Sequence, residues 1–536
     1  MIHALDRSRE DLAAELLAAG SSLLVRILAD YDRFFELAQR IGAEQVAQWP
    51  EIEAAAIWVL AVGNRQRLAG LRLDELEARI PELQRQRRSF VPQSRTPFDR
   101  VDPETAMRCW VDMLRIVIAG FGGDAVEARE RGLRWLEQYP RATEYDRATV
   151  RAVRAQAAAM LGHYAEAERE GRAAMTSFRE DRIPFGLGWS AAGTAYAQVR
   201  QGRTSDARDV VGAAFRQLGA AASTRLGLPL RMVGMLVLFE SGEFHAGLVG
   251  RPASEMLLPL RAETARLADI ASPVMALELL RGGVRGLLAM GEGVEALRTI
   301  DGASFDGAAS AVSWWQQQLA IERARTAAIA GLPDRRSAVT IDDAELLPLI
   351  DAACRRPDTS LLRPLRARIE AAEEACDADA WALAMFLKAR IESASGQALQ
   401  AKRSVQRLLT APQARERVGT LASLAVGLRP LFEAVLRDLL ANPSTNTAPL
   451  RRLAQILGLP TSLPQAPSPE VALTLREREI AAALLQGCSN REIAQRLYLT
   501  EKTVKWHLGR LFQKLGVRNR VGAIRTLTLE GRPSPV

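Results

Sequence analysis

Four residues near the C-terminus have the types and the spacing of a surface that binds a polyanion: Lys502, Lys505, Trp506 and Gly509. At about 100° per residue, the last three fall within about 60° of Lys502, so a helix would present all four on one face. The ammonium groups can pair with phosphates or base edges, and a glycine lets the helix backbone approach its partner closely. Such a face suits the major groove of duplex DNA, which is about 12 Å wide.

The opposite side of the same predicted helix is aliphatic. Val504, Leu508, Leu511 and Leu515 fall between about 180° and 240° from Lys502 on the wheel, which predicts a stripe that anchors the helix to its domain. An alternative is that Trp506 folds back onto a neighbouring helix and that the glycine is only tolerated. A mid-helix glycine costs about 1 kcal/mol, which favours a role in close approach to a partner.

Capping residues in the sequence predict where the helices that position this one begin. In a capping box, a Ser or Thr hydroxyl and a Glu carboxylate three residues later each accept a hydrogen bond from the other residue's backbone amide. Thr474 with Glu477 predicts a helix that ends at about Gln486, and Ser489 with Glu492 predicts a second helix over 490–497. Thr500 can cap the third helix, and a fourth helix is predicted over 520–530. Two short helices, a tight turn and a longer helix follow the helix-turn-helix plan.

The basic residues of the chain are concentrated in this segment. Residues 470–536 contain 12 Arg and Lys against 6 Asp and Glu, which is +6 of the total formal charge of +8. Three of the five lysines lie within 502–514. A small basic terminal domain on a nearly neutral body predicts a polyanionic partner for that domain alone.

The remainder of the chain has a helical pattern with a regular interruption. A glycine is followed five residues later by a small residue and then by an amphipathic helix. The pairs are Gly123/Ala128, Gly162/Ala167, Gly202/Ala207, Gly242/Gly247 and Gly291/Ala296, and Gly331 follows without its small partner. Steps of about 40 residues are typical of stacked helix pairs, with glycine at a tight inter-helix turn. The fold class is therefore expected to be all-α, with a repeat that resembles a tetratricopeptide-like superhelix.

Proline-rich segments divide the chain into four expected parts. Six prolines fall within 443–469, which predicts a linker with at most one short helix, Leu450–Leu457. A weaker break lies between Pro92 and Pro103. The predicted parts are an N-terminal helical block at 1–95, a helical-repeat sensor or interaction domain at 96–440, the linker at 441–469 and the small basic domain at 470–536.

The small domain resembles the DNA-binding domain of the LuxR (GerE-like) family. The resemblance covers about 55 residues without a gap. It lies in the segments LTxREREI from Leu473, GxSNREIA from Gly487, TVKxHL from Thr503 and KLGV from Lys514. It implies a four-helix domain whose third helix reads the major groove of DNA and whose fourth helix often supports dimerisation.

The resemblance also implies roles for individual residues of this domain. Lys505 and Trp506 would occupy base-facing positions, together with Lys502 and Gly509 of the same face, although relatives often have a longer polar or basic residue in place of the glycine. The phosphate contacts that the resemblance implies are Asn490, Arg491, Thr503, Arg510, Arg518 and Arg520.

The body resembles, by pattern rather than by motif, the superhelix of MalT-like regulators. No lysine of this sequence follows a glycine, so the phosphate-binding loop of a nucleotide-binding module is not expected, and no cofactor is expected. The four histidines are far apart in sequence and lack metal-ligand spacing, which argues against an enzyme or a metal site. Trp314 and Trp315 could line a ligand groove, but an aromatic pair at helical spacing is more often part of a core.

These observations together predict a cytoplasmic, sequence-specific transcription regulator, more plausibly an activator. Its expected partners are double-stranded promoter DNA, RNA polymerase, a small-molecule or protein effector on the helical repeats, and a second copy of the chain on DNA. No apolar run is long enough to suggest a membrane span, and the charged N-terminus argues against a signal peptide. Two alternatives are an interaction adaptor whose small domain docks to protein, and a sigma-like factor, although no second promoter-reading segment is evident.

Overall fold

The structure, a computed structural model, consists of helices and the turns between them in all the residues that it describes, so the predicted all-α fold is confirmed. It describes residues 9–63, 65–86, 103–180, 183–223, 225–246, 273–304, 309–332, 350, 353, 357–442, 448–459, 475–486, 488–497, 499–514, 517, 520 and 523. The chain divides into two compact units, Met1–Thr461 and Ser462–Val536.

The described residues of the first half of the large unit form twelve α-helices. They are α1 Glu10–Ser22, α2 Tyr31–Ile41, α3 Ala43–Val46, α4 Pro50–Val62, α5 Gln66–Gln86, α6 Pro103–Phe121, α7 Ala125–Gln138, α8 Glu144–Met160, α9 Tyr164–Glu180, α10 Pro184–Arg200, α11 Thr204–Leu218 and α12 Leu228–Glu240. A π-helical turn, Leu23–Ile27, follows α1. Several of these helices begin as their sequences require, with a proline in the first turn or an Asp or Thr cap.

The described part of the second half of this unit continues the same pattern. Its α-helices are α13 Glu243–Ala246, α14 Pro273–Ala289, α15 Gly293–Asp301, α16 Ala309–Ala330, α17 Leu362–Glu374, α18 Ala378–Ala394, α19 Ala398–Thr410, α20 Val418–Ala425, α21 Arg429–Leu440 and α22 Ala448–Ile456. The predicted helix in the proline-rich segment is α22, which begins two residues earlier than expected. The proposed boundaries of the four parts remain predictions.

The predicted glycine turns lie between successive helices. The glycine in the first position of each signature has a positive φ: Gly123 (84°), Gly162 (80°), Gly202 (81°), Gly242 (74°), Gly291 (85°) and Gly331 (68°). At the second of these turns, the backbone N–H of His163 donates to the carbonyl of Ala158 at 2.8 Å, which closes the end of α8. This left-handed conformation disfavours any residue with a Cβ, so the recurring glycine is explained by its backbone geometry.

The described small residues of the signature are buried between helices. Ala128, Ala167, Ala207 and Ala296 are all 0–1% exposed, whereas Gly247 lies outside the described residues. The first helices of successive pairs, α6, α8, α10, α12, α14 and α16, contact one another in turn. The described helices are therefore stacked pairs, and that these pairs form a tetratricopeptide-like superhelix remains a prediction.

Two hydrophobic cores lie within the large unit. One extends from Ala13 to Ala157 and the other from Tyr145 to Leu457, so α8 contributes to both. The first core includes helices on both sides of residues 87–102, where the sequence predicted a boundary. Trp315 is 4% exposed and Trp314 packs against the second core, as expected for an aromatic pair in a helical interior.

A buried seam of ion pairs joins α12, α14, α16, α18 and α20 beside the second core. Arg285 on α14 pairs with Glu240 at 2.8 Å and with Asp379 at 2.9 Å. Arg417 contacts the same two carboxylates, and Arg325 pairs with Asp379 at 2.8 Å. Burial alone would raise the pKa of Asp379, but the surrounding guanidinium groups outweigh it and hold that pKa well below its usual range.

One segment of the described chain, Val418–Leu440, is long and apolar enough to pass a length-and-composition test for a membrane span. It comprises α20, a short 3₁₀ turn and α21, and 61% of its most apolar window is buried inside the fold. Leu421, Phe432 and Leu436 are 0–1% exposed, so this segment is part of the second core.

The small unit contains three described helices, α23 Leu475–Leu485, α24 Asn490–Arg496 and α25 Glu501–Lys514. The bounds of α23 and α24 agree with the predicted helices to within a residue, and α25 begins directly after Thr500 as predicted, whereas Thr474 of the first predicted capping box lies outside the described residues. Of the predicted fourth helix, 520–530, only Arg520 and Ala523 lie within the described residues, and both are helical.

Candidate nucleic-acid interface

The aliphatic side of α25 is buried, as its sequence predicts, at the three described residues of the stripe; the fourth, Leu515, lies outside the described residues. Val504 and Leu511 are 0% exposed and Leu508 is 5% exposed. They share a core with the apolar side chains of α23 and α24: Ile480, Ala481, Ala483, Leu484, Ile493 and Ala494. α25 contacts both of the preceding helices. The hydrophobic effect therefore fixes the rotation of α25 about its axis, and with it the face that the helix turns outward.

The outward face of α25 contains Lys505 and Gly509, both of which are exposed. A Cβ added at Gly509 would have no neighbouring atom within 4 Å, so packing within this unit does not require a glycine there. The alternative that Trp506 folds back onto a neighbouring helix is not tested, because the side chain of Trp506 lies outside the described residues, and a glycine that is only tolerated is compatible with the open space. An exposed ammonium group beside bare helix backbone can approach an anionic surface closely.

The start of α25 is fixed by two threonines. The backbone N–H of Thr503 donates to Oγ1 of Thr500 at 3.2 Å, which confirms the predicted cap. The two hydroxyl oxygens are 2.8 Å apart, so the half-buried Thr503 hydroxyl already has one partner. Its predicted phosphate contact would use the remaining capacity of that hydroxyl group, which can both donate and accept.

The predicted capping box at the start of α24 is present. The N–H of Glu492 donates to Oγ of Ser489 at 3.3 Å, and the N–H of Ser489 donates to Oε2 of Glu492 at 2.6 Å. The backbone hydrogen bond from Ser489 lowers the pKa of Glu492. Asn490 and Arg491 follow directly, the first half-buried and the second exposed. The box thus fixes the helix turn that contains both predicted phosphate contacts.

Arg520 has a structural partner that the sequence did not indicate. Its guanidinium group donates to the backbone carbonyl of Cys488 and lies 3.5 Å from Oδ1 of Asn490. The half-buried Arg520 therefore holds the loop before α24 from more than 30 residues away in sequence. A guanidinium has five N–H donors, so a phosphate contact remains open to the others.

The remaining predicted site residues lie outside what the structure describes. These are the side chains of Lys502, Trp506 and Arg510, and the whole of Arg518. Within the described residues, no group of three or more His, Cys, Asp or Glu side chains could hold a metal ion. The described part of the site thus offers a lysine, two arginines, hydroxyl groups and helix backbone, which are groups that contact nucleic acid.

The comparisons with known proteins place this domain. The bacterial regulatory proteins of the luxR family match residues 471–527. The spore germination protein GerE of Bacillus subtilis is 44% identical over 59 residues, which is 11% of this chain and 80% of that protein. The probable transcriptional regulatory protein SgaR of Hyphomicrobium methylovorum is 50% identical over 56 residues, or 10% of this chain and 26% of that protein.

A longer relative shares the same terminal domain. The HTH-type transcriptional regulator AlkS of Alcanivorax borkumensis is 38% identical over 68 residues, which is 13% of this chain but 8% of that protein. The chain therefore covers a small fraction of the length of some regulators that it matches, and the similarity concerns their helix-turn-helix domain. Because most of GerE is covered at 44% identity, the match shows the family of this domain. The chain belongs to the LuxR family of bacterial regulatory proteins through its C-terminal helix-turn-helix domain.

Proposed function

We propose that this protein binds specific promoter sequences by placing the outward face of α25 in the major groove. One observation supports this most strongly: the aliphatic side of α25 is buried through Val504, Leu508 and Leu511 while Lys505 and Gly509 are exposed on the other side. An α-helix fits the major groove, and only that groove distinguishes all four base pairs.

The roles of individual residues follow from this orientation. Lys502, Lys505, Trp506 and Gly509 face base edges, and the lysines donate hydrogen bonds to guanine acceptors. The phosphate contacts in this proposal are made by Asn490, Arg491, Thr503, Arg510, Arg518 and Arg520. Phosphate contacts orient the domain on the duplex, and the α25 face provides the sequence preference.

The large unit is the regulatory part of this proposal. Its stacked helix pairs form a tetratricopeptide-like array that binds a small-molecule or protein effector and controls self-association on DNA. Two copies would bind half-sites about one helical turn, near 34 Å, apart. In this proposal the protein acts in the cytoplasm as an activator that engages RNA polymerase, and the chain has no catalytic role.

The test is genome-wide mapping of DNA bound by the full-length protein, followed by affinity measurements on a recovered duplex at several salt concentrations. Recovery of a shared sequence motif, with affinity that falls steeply as salt rises, is the expected result, because phosphate contacts release counterions. Recovery of no enriched sequence, together with no measurable binding of the full-length protein to bulk genomic DNA at low salt, would instead favour the adaptor function.

A matched pair of variants separates the two units in the same experiment. Lys505→Ala removes a cation from the proposed interface, whereas Lys402→Ala removes one from α19 of the large unit, where it pairs with Asp438 at 2.7 Å. Only the first variant should lose affinity for the recovered duplex. An equal loss in both variants would show that the large unit contributes to DNA contact.

A further inference from the structure

A cleft rich in aromatic side chains lies in the large unit. Its empty space is about 760 Å³ when the open solvent at its mouth is included. Aromatic residues are 5% of the chain, yet seven of the seventeen lining residues are aromatic. Among them are Trp58, Phe121, Tyr145, Phe178 and Trp189. Such a concentration of rings is suited to an apolar or aromatic occupant.

Three polar atoms of the lining residues are buried without a protein partner among the described residues. They are Nε1 of Trp58, Nε2 of Gln156 and Oγ of Ser190. Trp58 is 3% exposed and Ser190 is 2% exposed. An unsatisfied buried polar group costs about 1–3 kcal/mol, so such groups call for a partner. All three can donate a hydrogen bond, which points to an occupant with an acceptor oxygen.

The charge around the cleft favours an uncharged occupant. No lining residue is ionised at neutral pH. Arg26 is a described cation beside the cleft, and its guanidinium lies over the rings of the lining residues Trp58 (5.2 Å) and Tyr145 (4.4 Å). Its charge is offset by Asp146, 2.6 Å away, and both side chains are 1–4% exposed. An anionic ligand would therefore lose hydration without gaining an unpaired cation.

The cleft lies at the junction of the two cores of the large unit. Trp58, Phe121 and Val153 belong to the first core, and Phe178 and Tyr196 belong to the second. An occupant would contact both cores at once, so its binding would stabilise their present arrangement. Ligand sites in proteins are often found at such junctions.

We propose that this cleft is the effector site of the large unit and that it takes a small, uncharged aromatic molecule with a carbonyl or similar acceptor oxygen. The inference rests on the proposed regulatory role of this unit and specifies its ligand class. The rings of the cleft contact the aromatic body of the ligand, and the acceptor oxygen receives hydrogen bonds from Ser190, Gln156 or Trp58.

Gly193 offers a way to close the cleft without disturbing its walls. It lies within α10 and lines the cleft, and a Cβ added to it would meet nothing within 4 Å. Gly193→Leu therefore places a side chain in the empty space. Gly70→Leu is the matched control, because Gly70 lies within α5, away from the cleft, and its Cβ position is also open.

The probe is 6-propionyl-2-(dimethylamino)naphthalene, an uncharged aromatic ketone whose emission shifts to shorter wavelength in apolar surroundings. The full-length protein should bind one probe per chain and unfold at a higher temperature in its presence. Gly193→Leu should weaken binding at least tenfold, Ser190→Ala about threefold to tenfold, and Gly70→Leu not at all. The anion 2-naphthoate should bind at least tenfold more weakly than the ketone.

Probe binding that is unchanged in Gly193→Leu, or absent from the wild-type protein, would overturn the assignment of this site. DNA binding is measured on the same samples. If the wild-type protein binds DNA but does not bind the probe, only the ligand site is rejected. Probe binding in a protein that binds no DNA rejects only the proposed DNA-binding role.

Discussion

Arg417 and Glu240 form a fully buried ion pair between residues that are 177 positions apart in sequence. Nη2 of Arg417 lies 2.8 Å from Oε1 of Glu240, and both side chains are 1% exposed. The N–H of Thr420 also donates to Glu240, at 3.3 Å. The pair thus links the start of α20 to the end of α12, so it connects the middle of the large unit with its C-terminal helices.

Breaking this pair should destabilise the large unit strongly. Arg417→Met leaves Glu240 with fewer cations in a dry site, and the expected loss is about 3–5 kcal/mol of unfolding free energy in urea. The control is Lys402→Ala, which removes an ion pair with Asp438 whose side chains are 47% and 62% exposed, and it should cost less than about 1 kcal/mol. Equal small losses in the two variants would show that the buried pair is not structural.

The buried carboxylates should make the large unit sensitive to acid. Burial raises the pKa of Glu240, but Arg417 and Arg285 outweigh that effect and lower the pKa below its ordinary value of 4.5. The pKa of Glu278 is likewise lowered, because neighbouring arginines outweigh its burial. Because the unfolded chain then binds protons more readily than the folded one, stability is complete above the ordinary carboxyl pKa and falls as pH drops through the lowered values.

The measurement is the urea midpoint between pH 7 and pH 3, in the wild-type protein and in Glu240→Gln. The wild-type midpoint should be flat at neutral pH and fall below about pH 5. The variant should start lower and fall less steeply, since one of the responsible carboxylates is gone. The same steepness in both proteins would exclude Glu240 from the acid response.

Glycine at the inter-helix turns should be needed for its backbone conformation. Gly162 has a φ of 80°, and an added Cβ would have nothing within 4 Å, so Gly162→Ala costs only backbone strain, about 1–2 kcal/mol. Gly70 is helical with equally open space, and Gly70→Ala should stabilise by up to about 1 kcal/mol. Thermal unfolding should move in opposite directions; a shift of the same sign in both would contradict this account of the turns.

Burial of the aliphatic side of α25 should be essential for the small unit. Leu508 is 5% exposed, and Leu508→Ala should destabilise this unit by about 2–5 kcal/mol and weaken DNA binding with it. Gln495→Ala, on an exposed position of α24, is the matched control and should change stability by no more than about 0.5 kcal/mol. Hydrogen exchange of the α25 amides reports the stability of this unit. Full protection in Leu508→Ala would show that this side is not its anchor.

Local signals in the sequence were sufficient for much of the fold. The capping box at Ser489 and the turn glycines depend on residues a few positions apart, so the helix starts and turns that they form can be predicted from spacing alone. The same signature recurs at Gly396 and Ala401, where φ is 76° and the alanine is 1% exposed, and the sequence analysis missed it. Cys376, with a φ of 53°, occupies an equivalent turn without a glycine and could not have been found by that pattern.

Contacts between distant residues could not be predicted in this way. No periodic pattern in the sequence indicates the pairing of Arg417 with Glu240 or the hydrogen bond from Arg520 to the Cys488 carbonyl. An arginine on a helix is usually solvated, so its burial is not expected from the sequence. The cleft between the two cores was also missed. Its aromatic residues lie in five helices from Trp58 to Tyr196, and only the tertiary fold brings them together.

The most direct test of the central claim is the affinity of Lys505→Ala for a duplex recovered by genome-wide mapping. If the exposed face of α25 reads bases, the variant should bind about fivefold to 150-fold more weakly, equivalent to about 1–3 kcal/mol, and lose preference at one base pair of the motif. Lys402→Ala should bind like the wild-type protein. An unchanged affinity and an unchanged footprint in Lys505→Ala would contradict the assignment of α25 as the helix that recognises DNA.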